Sequence, residues 1–169
     1  VWGSMLAGRG CGRSCAFCSP FDRITFSKKV RPRKLEHVRD EALALVRMGV
    51  NVLSFEDDDP TFSPERGETL AETMAGVDAS YILHARIDEL SDPLLRRLAS
   101  SGCALIKMGV ESGSPYIINR LQKGDGATWR EKTIHFTRRA KELGIVTCGL
   151  FIIGCAGETE SDLGKTQSL

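Results

Sequence analysis

Three cysteines stand close together near the start of the chain, at the spacing C-x3-C-x2-C. They are Cys11, Cys15 and Cys18. Thiolates are soft ligands that favour iron–sulfur clusters and zinc, and a loop this short can wrap three corners of a cubane. A structural zinc site normally has a fourth Cys or His close by, whereas the nearest histidine, His37, lies within a helical pattern. The loop therefore predicts a metal centre with one open position, where a small molecule can bind.

The remaining composition favours one ordinary globular domain. The chain has 169 residues, of which 41% are hydrophobic and 27% are charged, and its net charge is +1. A chain of this length can bury a substantial core, and its near-neutral charge provides no overall field for a polyanionic partner. No apolar run approaches the length of a membrane span and no signal peptide is apparent, so we expect a cytoplasmic location and no membrane partner.

The cysteines and the chain ends add two expectations. In a reducing compartment, crowding of three cysteines favours a metal over disulfides, and Cys103 and Cys148 are expected to be small buried hydrophobes. Position 1 is not Met, and the chain stops within a helical pattern that begins near residue 159. We therefore expect residues 1–169 to be one domain from a longer protein.

Alternating strands and helices must position the cysteine loop. The apolar patterns predict strands over residues 2–7, 51–55, 81–85, 103–110 and 145–153. Helices are predicted between them; one begins at Ser91, a capping residue, and another at Thr159. Five nearly continuous apolar strands alternating with helices indicate the α/β class with a parallel sheet. A barrel, a partial barrel and a doubly wound sheet all remain open on the pattern alone.

The cysteine loop, written R-G-C-x3-C-x-F-C, resembles the signature of the radical S-adenosylmethionine (SAM) superfamily. This resemblance implies a partial (β/α)6 barrel with its site at the carboxyl ends of the strands, here truncated after the fifth strand. It also implies that Cys11, Cys15 and Cys18 hold a [4Fe–4S] cluster whose open iron binds SAM. One electron from the cluster then cleaves SAM to methionine and a 5′-deoxyadenosyl radical, which abstracts hydrogen from a substrate.

The same resemblance implies roles for polar residues after the second and third strands. The family commonly has a small acidic motif that binds the methionine amino group, and here Glu56 and Asp57 are its candidates, although the usual Gly-Gly-Glu-Pro form is absent. A carboxylate suits an ammonium group as a charge-assisted partner. Arg86 is a candidate for a carboxylate or substrate contact. The alternatives are a solvated acidic turn, and a surface ion pair of Arg86 with Asp88 or Glu89.

Two later segments resemble the family's ribose and adenine motifs. The segment G-V-E-S-G-S resembles the G-x-E-S-G-S segment of a large branch of the family and implies that Glu111 and Ser112 lie on the ribose side of SAM. The fifth strand implies an adenine contact through Ile152 and Gly154. Phe17 would flank the adenine, or it could pack in the core.

These segments look most like the branch that contains methylthiotransferases and cobalamin-dependent methylases or cyclases. The implied partners are an external electron donor, such as flavodoxin or ferredoxin, and an unknown substrate, with cobalamin supplied by a further domain. A nucleic-acid substrate is open but unsupported, because the basic connector is more typical of a solvated surface. Its basic residues are Arg23, Lys28, Lys29, Arg31, Arg33 and Lys34. The competing hypothesis is a non-catalytic iron–sulfur or zinc module.

Overall fold

The computed structural model describes residues 1–18 and 29–169. Arg23 and Lys28 of the basic connector lie outside these ranges. Within them the strands are β1 (Trp2–Met5), β2 (Gly8–Arg9), β3 (Arg31–Pro32), β4 (Val52–Phe55), β5 (Ser80–Ala85), β6 (Cys103–Glu111) and β7 (Val146–Phe151). The helices are α1 (Leu35–Arg47), α2 (Pro64–Met74), α3 (Asp92–Ser100), α4 (Pro115–Arg120), α5 (Gly126–Glu142) and α6 (Glu160–Gln167). No helix of the described residues is long and apolar enough to span a membrane.

The main sheet has five parallel strands in the order β1-β4-β5-β6-β7. This order follows the chain without reversal, and the helices pack side by side: α1 contacts α2, α2 contacts α3, and α5 contacts both α3 and α4. A doubly wound sheet would reverse its strand order at a switch point, so the sequential order is that of a barrel segment. Among the described residues β1 and β7 do not pair with each other, and the barrel is not closed. The predicted α/β class and parallel sheet are confirmed.

The core lies between the sheet and its helices. Phe55 and Tyr81, on neighbouring strands, meet edge to face with ring centroids 5.9 Å apart. Trp129 and Phe136 of α5 are buried, and the Trp129 indole N–H donates to the Val110 carbonyl at 2.9 Å. Burying each of these large side chains contributes roughly 1.5–3 kcal/mol, so the core is sufficient to hold the strand ends rigidly.

The helix starts agree with the local sequence. Ser91 accepts a hydrogen bond from the Leu94 amide, and Thr159 forms a reciprocal capping box with Asp162. These caps satisfy amide groups that have no partner within the helix. Both predicted helix starts are confirmed.

Three local predictions were wrong. The first strand stops at Met5, because the Ala7 amide donates to Asp57, and the next residues form β2, antiparallel to β3. The fifth strand ends at Phe151 and not at residue 153. Cys148, expected to be buried, is exposed, because within residues 1–18 and 29–169 β7 is the outermost strand of the sheet and pairs only with β6.

Candidate cofactor site

A cavity of about 200 Å³ opens at the carboxyl ends of the strands, and all three cysteines of the loop line it. Asp58 and Asp59 reach it from the turn after β4, and Arg86 reaches it from the end of β5. The full lining consists of Gly10, Cys11, Arg13, Cys15, Phe17, Cys18, Asp58, Asp59, Arg86 and Lys123. The barrel topology therefore brings together residues that are far apart in the sequence.

Backbone contacts from two directions hold the cysteine loop. The Gly10 amide donates to the Asp58 carboxylate at 3.1 Å, and the Ala16 amide donates to the Leu121 carbonyl at 2.8 Å. Cys15 is only 7% exposed, whereas Cys18 is exposed. None of the six cysteines forms a disulfide. Burial raises the pKa of the Cys11 thiol, so that without a metal this thiol favours its protonated form.

Arg86 brings a positive charge to the buried thiol. Its Nη1 lies 3.5 Å from Cys15 Sγ, and its Nε and Nη2 bind the Asp88 carboxylate at 3.1 and 3.0 Å. Burial lowers the pKa of Arg86, but its contacts with Asp88, together with the nearby Cys15 and Glu89, outweigh that effect and raise it. The predicted ion pair with Asp88 therefore exists, but Arg86 is 8% exposed and faces the cavity, so it is not merely a surface pair.

The acidic residues in the turn after β4 differ in what they contact. Asp57 is buried and accepts the Ala7 amide at 2.9 Å, which holds the end of β1 against β4; burial raises its pKa to about 6. Glu56 is exposed and does not line the cavity. The two residues that follow, Asp58 and Asp59, face the thiols. The acids next to the cysteines are thus shifted by two positions from the pair favoured by the sequence.

Asp59 lies beside a second acid that sequence reasoning treated only as an ion-pair partner. Burial raises the pKa of Asp59 to about 7, and the neighbouring Glu89 carboxylate contributes to the rise. Glu89 also pairs with Arg13 of the cysteine loop and lies 3.3 Å from Arg86 Nε. Two close carboxyl groups favour sharing a proton, because both cannot ionise cheaply in a buried site.

Lys123 is a cavity residue that sequence reasoning missed. Its Nζ lies 2.9 Å from Glu111 Oε1, and the two side chains are 9% and 6% exposed. The same ammonium lies 5.7 Å from the ring centroid of Phe17, which is itself exposed and so does not pack in the core. In the sequence, Lys123 reads only as an interruption between two helices. No local sequence pattern identifies Lys123 as a site residue, because it lies near the cysteine loop only through the tertiary contact of the turn after α4.

The remaining predicted residues do not line the cavity. Ser112 is buried, accepts the Ser114 amide at 3.1 Å and shares a hydrogen bond with Thr166 of α6. The Ile152 amide donates to the Glu111 carbonyl at 2.9 Å, which ties the end of β7 to the end of β6. Gly154, with φ 85°, donates its amide to Glu158. Their contacts support the ribose-side strand end, and their roles toward SAM stay predictions.

The donor set suits an iron–sulfur cluster. Three soft thiol ligands share one cavity, and Arg86 and Lys123 supply positive charge beside them, which favours thiolates and an anionic cluster. Cys11, Cys15 and Cys18 could therefore hold the cluster. In residues 1–18 and 29–169, no three His, Cys, Asp or Glu side chains are grouped closely enough to hold a single metal ion. The fit to a cluster therefore rests on the three soft donors that share one cavity, and not on a preformed coordination geometry.

Comparisons with known proteins identify the family of the chain. The model of the Radical SAM superfamily matches residues 5–169. An uncharacterized methyltransferase of Pyrococcus horikoshii is 29% identical over 98% of this chain, and bacteriochlorophyllide d C-12(1)-methyltransferase of Chlorobaculum tepidum is 29% identical over 96%. The chain covers 36% of each of these two relatives.

Solved structures share the fold. The radical SAM methyltransferase TsrM from Kitasatospora setae, with tryptophan and a SAM analogue bound, superposes with a TM-score of 0.89 at 20% identity, over 99% of this chain and 33% of that one. The cobalamin-dependent enzyme OxsB superposes with a TM-score of 0.79 at 20% identity, over 98% of this chain and 26% of that one. With a family match over nearly its whole length, the chain belongs to the radical SAM superfamily, whose members are enzymes that bind a [4Fe–4S] cluster and SAM.

Proposed function

We propose that residues 1–169 are the core of a radical SAM enzyme in which Cys11, Cys15 and Cys18 bind the [4Fe–4S] cluster. The observation that carries this proposal is that all three thiols line one cavity, with Arg86 against the most buried of them. Three ligands leave one iron for SAM. When bound, the cluster supplies the electron that cleaves SAM and generates the 5′-deoxyadenosyl radical.

We assign the methionine end of SAM to the acids that face the cysteines. Asp58 and Asp59 line the cavity, whereas Asp57 is occupied by the Ala7 amide and Glu56 points away from the lining. An arriving ammonium would favour the ionised form of Asp59, because an opposite charge nearby lowers a carboxyl pKa. Arg86 would offset the negative charge of the thiolates.

Glu111 and Phe17 are the proposed contacts on the nucleoside side. Phe17 lines the cavity, whereas Glu111 does not line it but pairs with the lining residue Lys123, whose ammonium also lies over the Phe17 ring. A buried carboxylate at the end of β6 is suited to accept hydrogen bonds from ribose hydroxyls. Ser112, Ile152 and Gly154 would support the ribose and adenine sides through the strand ends that they tie together.

We propose methyl transfer as the reaction class, with cobalamin supplied by another part of the full-length protein. Support comes from relatives named methyltransferases, including the cytidylyl-2-hydroxyethylphosphonate methyltransferase of Streptomyces wedmorensis, 27% identical over 90% of this chain. A putative methylthiotransferase and a magnesium-protoporphyrin cyclase among the relatives keep thiomethylation and cyclisation as alternatives. A cytoplasmic location, and a flavodoxin or ferredoxin as electron donor, belong to the same proposal.

Anaerobic reconstitution of the full-length protein tests the core proposal. We expect about four iron atoms per chain and, after chemical reduction, conversion of SAM to 5′-deoxyadenosine, both measured on the same sample. A bound cluster that leaves SAM intact would instead support a non-catalytic iron–sulfur module. One zinc per chain without iron would support the zinc alternative. Cobalamin that remains with the purified full-length protein would support methyl transfer or cyclisation over thiomethylation, and its absence would favour thiomethylation.

A further inference from the structure

The turn after α4, residues Leu121–Lys123, connects three parts of the candidate site. The Leu121 carbonyl accepts the Ala16 amide of the cysteine loop at 2.8 Å. The Lys123 carbonyl accepts a hydrogen bond from Arg86, which also contacts Cys15. The Lys123 ammonium pairs with Glu111 at the end of β6. One short turn thus contacts the cysteine loop and Arg86 through its backbone, and the proposed ribose acid through a side chain.

Two backbone conformations mark this unit. In the described part of the chain the non-glycine residues with positive φ are Glu111, at 63°, and Gln122, at 51°. Such conformations are costly for residues with a Cβ and persist where surrounding contacts enforce them, commonly at functional sites. Both residues adjoin the ion pair, one as its acid and the other as the neighbour of its lysine. The strain is therefore concentrated where Lys123 and Glu111 meet.

Gly109 provides the space for the ion pair. A Cβ at this position would collide with the Glu111 carboxylate and with the Lys123 ammonium. The Glu111 carboxylate would be the nearer of the two, and both are the ends of flexible side chains. A larger residue at position 109 would therefore displace the ion pair from its present position.

We propose that Lys123 is a positioning residue for SAM. Its side chain fixes the Glu111 carboxylate, and its backbone turn fixes the cysteine loop, so one residue sets the distance between the metal end and the ribose end of the cosubstrate. This inference rests on the proposed function. It assigns Lys123 no contact with the reacting atoms, because its ammonium is already paired with Glu111.

The backbone and side-chain contacts can be separated by substitution. Lys123→Met removes the ammonium but keeps the carbonyl that Arg86 contacts, so the full-length protein should still assemble its cluster with an unchanged electron paramagnetic resonance (EPR) spectrum before SAM is added. We expect the KM and Kd for SAM to rise about tenfold, with kcat within about threefold, because a charged hydrogen bond that orients Glu111 is lost. Lys123→Arg should recover most of the affinity. Lys141→Met, at an exposed site on α5, is the control.

Comparison with Glu111→Gln decides whether Lys123 acts through Glu111. If it does, Lys123→Met in the Glu111→Gln background has no additional effect on the Kd for SAM, because both substitutions break the same link. Additive effects would overturn the proposal, as would a wild-type Kd in Lys123→Met or loss of its cluster. If Lys123→Met does not fold, Lys123→Gln, which also removes the ammonium and keeps the backbone carbonyl, takes its place and must give the same rise of about tenfold in the Kd for SAM. Wild-type turnover separately tests the proposed function, since the ratios of Kd do not depend on cleavage.

Discussion

Two regions of the molecule differ in which side chains they bury. The cavity at the ends of β1, β4, β5 and β6 buries charged side chains, whereas the outer strand β7 exposes apolar ones. Around the cavity the charged residues Asp59, Arg86, Glu111 and Lys123 are buried. On and after β7 the apolar residues are exposed, and Phe151 and Ile153 are 49% and 72% accessible. Buried charges persist only when they are paired, and apolar side chains remain exposed where no neighbouring element covers them.

This difference indicates how the two ends of a SAM site would be supported. Arg86 and Lys123 each make several contacts around the cysteines, which restricts their side chains before any ligand arrives. Such preorganisation lowers the cost of binding. Among the described residues β7 has only β6 beside it in the sheet, and its apolar groove of Phe151, Ile153 and Leu163 is open. We therefore expect substitutions on the cavity side to have larger effects than those on the β7 side.

The largest effect should follow Cys15→Ala. This thiol is the most buried of the three and is the one that contacts Arg86. Its loss should abolish the brown chromophore and SAM cleavage, as measured by absorbance and by 5′-deoxyadenosine release. Cys148→Ser, which changes an exposed cysteine on β7, should retain both. A cluster that survives in Cys15→Ala would contradict the ligand assignment and remove the functional contrast between the two regions.

Arg86→Met should cost the most stability. It leaves Asp88 without its cation and leaves Glu89 with Arg13 but without Arg86, and breaking a buried pair typically costs about 3–5 kcal/mol. The free energy of unfolding of the cluster-free protein, measured by urea denaturation, tests this expectation. Arg97→Met breaks an exposed pair with Glu72 and should cost less than about 1 kcal/mol. Equal losses of stability in the two variants would show that the ion pairs at the cavity contribute no more than an exposed ion pair.

Asp57→Asn should stabilise the protein above about pH 6. Burial raises the pKa of Asp57 to about 6, above its ordinary value of 3.8, so folding penalises the charged form. The penalty is absent below pH 3.8, grows between the two values and is fully present above pH 6. An amide can still accept the Ala7 N–H, and we expect a gain on the order of 1–3 kcal/mol at pH 7.5.

The free energy of unfolding, measured from pH 4 to 8, tests whether the stability gain of Asp57→Asn grows as the pH rises. Asp78→Asn, at an exposed loop position, is the control. A gain that does not vary with pH would mean that the buried charge is not its cause. If Asp57 serves only to hold β1, then SAM cleavage by Asp57→Asn should be close to that of the wild type. A strong loss of SAM cleavage would instead indicate that Asp57 contacts SAM.

The smallest effect should follow Ile153→Ser on the β7 side. This side chain is 72% exposed, and substitutions at such positions usually change stability by less than about 0.5 kcal/mol. Urea denaturation of the same protein measures the change. A loss of 2 kcal/mol or more would show that Ile153 is covered in the protein, and the contrast between a supported cavity and an open edge would then fail.

Features that depend on neighbouring residues were available from the sequence. The strand and helix pattern, the caps at Ser91 and Thr159, and the grouping of three cysteines follow from residue types a few positions apart. Capping, periodicity and ligand spacing each involve residues within a short stretch of chain, so they can be recognised without knowledge of the fold. They were sufficient to indicate a parallel α/β protein with a three-thiol loop.

Features that depend on distant residues were decided only by the tertiary structure. Asp57 and Asp58 are adjacent in sequence, yet one holds Ala7 and the other holds Gly10 beside the thiols. Lys123 became part of the site because the turn after α4 meets the cysteine loop, and Cys148 became exposed because β7 is outermost. Burial and pairing arise from contacts between separate elements, and no local pattern contains them.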